Sequence, residues 1–100
     1  MLGELKAEHF LPLVDQEFTV MYPDYQTSLL LYKVEHGKKS PSPGRFREPF
    51  SLFFNGTDAN TVLHQQNHPL THPTLGTLEI FLVPLGRNED GTFYYQAVFG

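Results

Sequence analysis

The sequence contains no cysteine and no tryptophan, and only seven lysines and arginines stand against eleven aspartates and glutamates in its 100 residues. Without cysteine there is no disulfide framework, no thiolate metal site and no thiol nucleophile, and the absence fits a cytoplasmic protein. The formal net charge of −4 argues against general affinity for nucleic acid, which needs cationic surface to displace counterions. No basic stretch followed by an apolar one opens the chain, so no signal peptide is expected. No apolar run approaches the roughly 20 residues that a membrane helix needs. Internal repeats are missing, as are Gly-x-Ser-x-Gly, a phosphate-cradling glycine loop and His-Glu-x-x-His.

What is present is aromatic. Nine phenylalanines and five tyrosines suit the core of a small β domain, and a chain of this size buries enough surface for one core without staples. The longest apolar run, Thr77 to Leu85 between Gly76 and Gly86, reads as a strand. Leu78, Ile80 and Leu82 share one face; Phe81, Val83 and Leu85 share the other, interrupted by Glu79. Apolar on both faces, this stretch is expected to be a central strand covered on both. After the Arg87–Gly91 turn, Phe93, Tyr95, Ala97 and Phe99 alternate with Tyr94, Gln96 and Val98 to complete a hairpin.

Upstream, Phe10, Leu13 and Val14 have the spacing of one helix face, but Pro12 limits the helix to one or two turns near His9 and Phe10. That segment is expected to cap the core with Phe10 and Leu13. Phe18, Val20 and Tyr22 alternate along residues 17–22. The stretch 27–35 follows after Pro23-Asp24-Tyr25-Gln26, with Leu30, Tyr32 and Val34 on one face and Leu29 and Leu31 on the other. Phe50, Leu52 and Phe54 mark a third strand, with Pro49 at its start and Asn55-Gly56 as a positive-φ terminator. Asn55-Gly56-Thr57 also matches a glycosylation sequon and is read as a turn. Residues 57–66 read as loop. A short strand at 67–72 turns Leu70 to the core, with Pro69 marking a sheet edge. The expectation is a single, mostly β domain over residues 1–100. It is an antiparallel barrel or sandwich of about six strands with a short N-terminal helical segment.

Three features could carry chemistry. His64, His68 and His72 recur every fourth residue, but Pro69 and Pro73 forbid a continuous helix. On a strand four residues span about 13 Å, too far to share one ion. The spacing favours polar edge histidines, with His72 satisfying backbone groups at the His-Pro turn. Glu79 is the one acid in an apolar face; a cation such as Arg47 or Lys33, or an outlet to solvent, accounts for it. Residues 36–48 read as a mobile basic loop within the domain. Its stretch 38–47, with Lys38, Lys39, Arg45 and Arg47, faces a remainder that holds three cations and eleven acids. These four are candidate partner contacts, although a solvated loop explains the same composition, and the loop lacks the interleaved aromatics of a nucleic-acid groove.

The chain resembles a family of small, uncharacterised bacterial proteins of about its own length. The resemblance runs through Phe10-x-x-Leu13-Val14 and Phe18, Pro49-Phe50-Ser51-Leu52-x-Phe54-x-Gly56, Leu63-x-Gln65, His72-Pro73-x-Leu75-Gly76, Ile80-Phe81-Leu82-Val83-Pro84 and Tyr95-x-Ala97-Val98-Phe99. Relatives often carry Gly where this chain has Asp15 and Gln66, and Pro where it has His64. The resemblance implies companions of phage-tail-collar-type proteins and names no catalytic residue. The expected function is therefore a non-catalytic structural or accessory module with no cofactor and no bound metal. It would bind another protein or itself through the 38–47 loop or the 67–72 edge. A small-ligand-binding barrel is the alternative, and a metal-dependent enzyme using the histidines is the third reading.

Overall fold

A computed structural model describes residues 5–37 and 49–99. The helical entry is α1 (Ala7–Phe10), continued by a 3-10 turn over Leu11–Leu13. Pro12 sits near the start of that turn, where its missing N–H costs nothing. The His9 ring closes the helix start, its Nδ1 accepting the Lys6 N–H at 2.8 Å. Six strands follow: β1 (Glu17–Met21), β2 (Gln26–His36), β3 (Phe50–Gly56), β4 (Gln66–His72), β5 (Gly76–Arg87) and β6 (Phe93–Phe99). They close into a barrel in the order β1-β2-β3-β6-β5-β4, every pairing antiparallel. Closure removes the exposed backbone groups that an open sheet would present.

The barrel is filled by its own side chains. Phe18, Val20, Leu29, Leu31, Phe50, Leu52, Phe54, Leu70, Ile80, Leu82, Tyr95 and Ala97 are buried in one cluster. A barrel of six strands is narrower than the eight-stranded size that side chains just fill. At the mouth where β3 begins and β6 ends, Phe50 and Phe99 are cross-strand partners with rings stacked at 4.8 Å. Phe10 of α1 drops onto both, 5.9 Å from each, so the helical entry plugs this mouth as its apolar spacing predicts. Across the interior, Phe18 of β1 meets Phe54 of β3 edge-on at 5.4 Å. Leu63, from the connection between β3 and β4, is buried and its N–H donates to the Tyr95 hydroxyl at 3.0 Å. Burial pushes the Tyr95 phenol above its ordinary value, against the opposing pull of that hydrogen bond.

Four expectations about strand faces are corrected. The β5 run is apolar on both faces but covered on one: Ile80 and Leu82 are buried, whereas Phe81 and Leu85 are 47% and 44% exposed. A closed barrel has only one inside, so the second face must lie outside. β4 is not an edge, because Thr71 and Leu70 pair with Thr19 and Val20 of β1 while the whole strand pairs with β5. That short ladder stops where Pro69 would come opposite Met21, a position at which proline has no N–H to give. Val34 does not follow Leu30 and Tyr32 outward. A register shift between Leu31 and Lys33 reverses the alternation, so Val34 packs on the core with Leu29 and Leu31.

Lastly, Asn55 and Gly56 continue β3 without a positive φ. Gly56 is needed for closeness: a Cβ there would sit 3.1 Å from the Phe93 carbonyl oxygen. Among the described residues the left-handed positions are Asp15, at φ 75°, and Gly76 and Gly91. Asp15 holds this φ although it carries a Cβ, where glycine would adopt it without strain. The β5–β6 hairpin stands as expected. Its loop is held by Asp90, whose Oδ1 accepts the Thr92 hydroxyl at 2.6 Å and the Thr92 N–H at 2.9 Å. Those bonds, the hydroxyl's first, hold the carboxyl below its ordinary value.

Candidate functional site

The histidine series separates once folded. His64 lies exposed ahead of β4. His68 and His72 point inward and are 1% and 3% exposed, so they are interior groups rather than edge residues. Each has both ring nitrogens engaged. His68 Nε2–H donates to the His64 carbonyl at 2.8 Å, which leaves Nδ1 to accept the Tyr22 hydroxyl at 2.6 Å. His72 Nδ1 accepts the Thr74 N–H at 3.0 Å, so its Nε2–H donates to Gln16 Oε1 at 2.7 Å. His72 thus satisfies the backbone of the turn that follows it, as the His-Pro sequence suggested, and its ring lies 4.9 Å from Phe18. With their nitrogens consumed in this way, neither ring offers a lone pair to an ion. Among the described residues no group of three or more His, Cys, Asp or Glu is placed to hold a metal.

What these bonds do is close the barrel. The β1–β4 ladder is its shortest. Tyr22–His68 and Gln16–His72 tie residues at the two ends of β1 to β4, while Thr71 and Thr77 hydroxyls join β4 to β5 at 2.8 Å. A strand pair with so few backbone bonds gains most from side-chain ones, each worth about 1 kcal/mol net.

Glu79 lies on the outer face opposite Pro69 and is exposed to solvent. The solvent account of this acid is therefore the correct one. Lys38, Lys39, Arg45 and Arg47 lie outside the described residues.

A different surface emerges on the outer wall of β3, β6 and β5. Phe53, Gln96 and Val83 stand side by side in register. One level on are Ser51, opposite Val98, and Phe81 two residues beyond Val83 on β5. Val98 is 66% exposed, the most of the large apolar side chains among the described residues. Leu85 is the extra residue where the β5–β6 register shifts between Pro84 and Gly86. Tyr94 lies flat against Gly86, where a Cβ would come 3.1 Å from its hydroxyl oxygen. At the β2 border, Lys33 and Glu35 pair at 3.3 Å, with the Lys33 ammonium 5.3 Å from the Phe53 ring centre. Among these apolar groups the Gln96 amide donates to Ser51 Oγ at 3.2 Å, joining β6 to β3.

Alternation along 77–85 predicts Phe81, Val83 and Leu85 as a second covered face, and the closed barrel instead leaves Phe81 and Leu85 exposed. The available signal was Glu79: a carboxylate within the face is cheap only if that face meets water.

The model of the family described as "Domain of unknown function (DUF6916)" matches residues 5–99. The chain belongs to this family. The match spans the α1 plug and all six strands, so the barrel described here is this chain's form of the family domain. No curated protein and no solved structure matches the chain.

Proposed function

We propose that this protein is a non-catalytic structural or accessory module that binds another protein chain through the outer wall of β3, β6 and β5. One observation carries this reading. Phe81, Leu85 and Val98 stand exposed together on one wall at 47%, 44% and 66%, although the barrel could be closed with polar residues at all three positions. Contiguous apolar surface on a small domain is a common mark of a contact site. The filled interior gives a ligand-binding barrel no comparable support. The doubly bonded histidines likewise lend nothing to a metal-dependent reaction.

The resemblance to companions of phage-tail-collar-type proteins supplies the finer form of this proposal, an accessory component of a tail-like assembly. Affinity isolation of the tagged protein from its native cells tests the binding role, with Phe81→Lys/Val98→Lys as the comparison. We expect a protein retained by the wild type and lost by the double variant. Identical profiles from the two, with both folded, would remove this reading.

A further inference from the structure

We propose that His72 is an acid-sensitive latch: a proton on its Nδ1 frees the β4–β5 turn and the start of β1, and so loosens the mouth that α1 plugs before the rest of the barrel. The partner of each ring nitrogen carries this inference. Nδ1 of His72 accepts the Thr74 N–H at 3.0 Å, while Nε2–H donates to Gln16 Oε1 at 2.7 Å. A backbone N–H can only donate. Protonation of Nδ1 therefore sets one N–H against another, and the Thr74 bond is lost. His68 provides the contrast. Its Nδ1 accepts from the Tyr22 hydroxyl at 2.6 Å, and a hydroxyl can turn from donor to acceptor. A protonated His68 keeps both of its partners; a protonated His72 does not.

The latch sits where it can act. Thr74 and Gln16 are exposed, whereas the ring they hold is buried against Phe18. Gln16 follows the left-handed Asp15 and joins the plug to the barrel: its N–H donates to the Leu13 carbonyl, and its own carbonyl accepts the Leu31 N–H, each at 3.0 Å. His9 makes a second bond of the same kind in the plug, its Nδ1 accepting the Lys6 backbone N–H. The ionisable groups on the elements around His72 are Asp15 and Glu17 toward β1, Glu79 on β5, and Lys6, Glu8 and His9 of the plug. All of them are exposed, so water and salt screen their fields at the ring. Tyr22 and Tyr25 lie with His68 instead. Only the neutral ring of His72 fits the closed latch. The latch is thus complete above the range in which histidine ordinarily titrates, around pH 6.5, and weakens as pH falls through it.

The test is amide exchange followed by NMR at pH 7.5 and pH 5.5, above the ordinary carboxyl range, with each rate corrected for its intrinsic pH dependence. Linkage to one proton changes an opening equilibrium by at most about tenfold per pH unit. Protection of the Thr74 and Leu31 amides should therefore fall about tenfold at pH 5.5, while the β3–β6 amides keep theirs. His72→Phe retains the ring volume without the acceptor, so Leu31 protection should lose its pH dependence. His68→Phe and His9→Ala should each retain the fall at Thr74. Ring nitrogen shifts of the wild type at pH 7.5 should show His72 as the Nε2–H tautomer, a readout that stands even if His72→Phe fails to fold. An Nδ1–H tautomer, a charged His72 with Thr74 still protected, a fall uniform over the barrel, or a fall that survives in His72→Phe or vanishes in His9→Ala would each overturn the proposal.

Discussion

The two walls of this barrel are built on opposite economies. Where β1 meets β4, the backbone ladder is short, and the side chains around it are spent on joining strands: Tyr22 to His68, Gln16 to His72, Thr71 to Thr77. Where β3, β6 and β5 meet, the backbone ladders are longer and hold the strands by themselves. The outward side chains there, Phe81, Val98 and Leu85, complete no bond that the fold requires. A side chain that the fold does not use is available to a partner. That explains why the histidines, chemically the more suggestive residues, are the poorer functional candidates, and the plain aliphatic and aromatic positions the better ones.

The largest effect should come from removing what the two walls share. Phe54→Ala deletes the ring that spans from β3 to Phe18 on β1, at an expected cost of about 3–5 kcal/mol. Chemical denaturation should show a single lowered transition. Two separate transitions would mean that the walls unfold independently and that the contrast is one of subunits rather than faces.

Next in size, His68→Phe keeps the ring volume but strips the partners from the Tyr22 hydroxyl and the His64 carbonyl, for about 1–3 kcal/mol. Amide exchange should accelerate first in β1 and β4, with β3 and β6 still protected. Uniform acceleration would show that the seam is not the weaker wall.

A smaller contribution is read by alkali. The Tyr95 phenol is raised above 10.0 by burial, so the folded state favours its neutral form. The associated stability is complete below pH 10.0 and falls as pH rises from there through the folded-state value. Tyr25 and Tyr32 shift in the same direction, each chiefly by burial. Tyr95→Phe should flatten the alkaline limb of a stability–pH curve; a limb of unchanged slope would assign it to the other tyrosines.

The smallest change in stability separates the walls most sharply. Val98→Lys on one and Thr19→Lys on the other should each alter unfolding by no more than about 0.5 kcal/mol. Only Val98→Lys should lose association with the protein that the wild type retains in affinity isolation. Equal effects of the two on association would erase the distinction between the walls.

Much of this fold is legible in the residues. Phe50, Leu52 and Phe54 alternate as strictly as any strand can, and the structure turns all three inward. Phe10 and Leu13 have one helical spacing, Pro12 limits it, and the result is a single turn of α-helix followed by a 3-10 turn. The site was less legible. Alternation along 76–87 separates two apolar faces, and Glu79 is the one residue among them that marks the outer face. The register shifts at Tyr32 and Leu85 arise from pairing with a neighbouring strand, and no local propensity announces them.

The sequence alone determined the strands, their turns and the aromatic composition of the core, because period-two patterning and turn chemistry are local properties. Closure of the sheet decided the rest. Bringing β4 against β1 created one interior, buried His68 and His72 as its fasteners, and left Phe81, Leu85 and Val98 outside. Which of two apolar faces meets water depends on where the ends of a sheet join, and that is fixed by contacts between residues far apart in the chain.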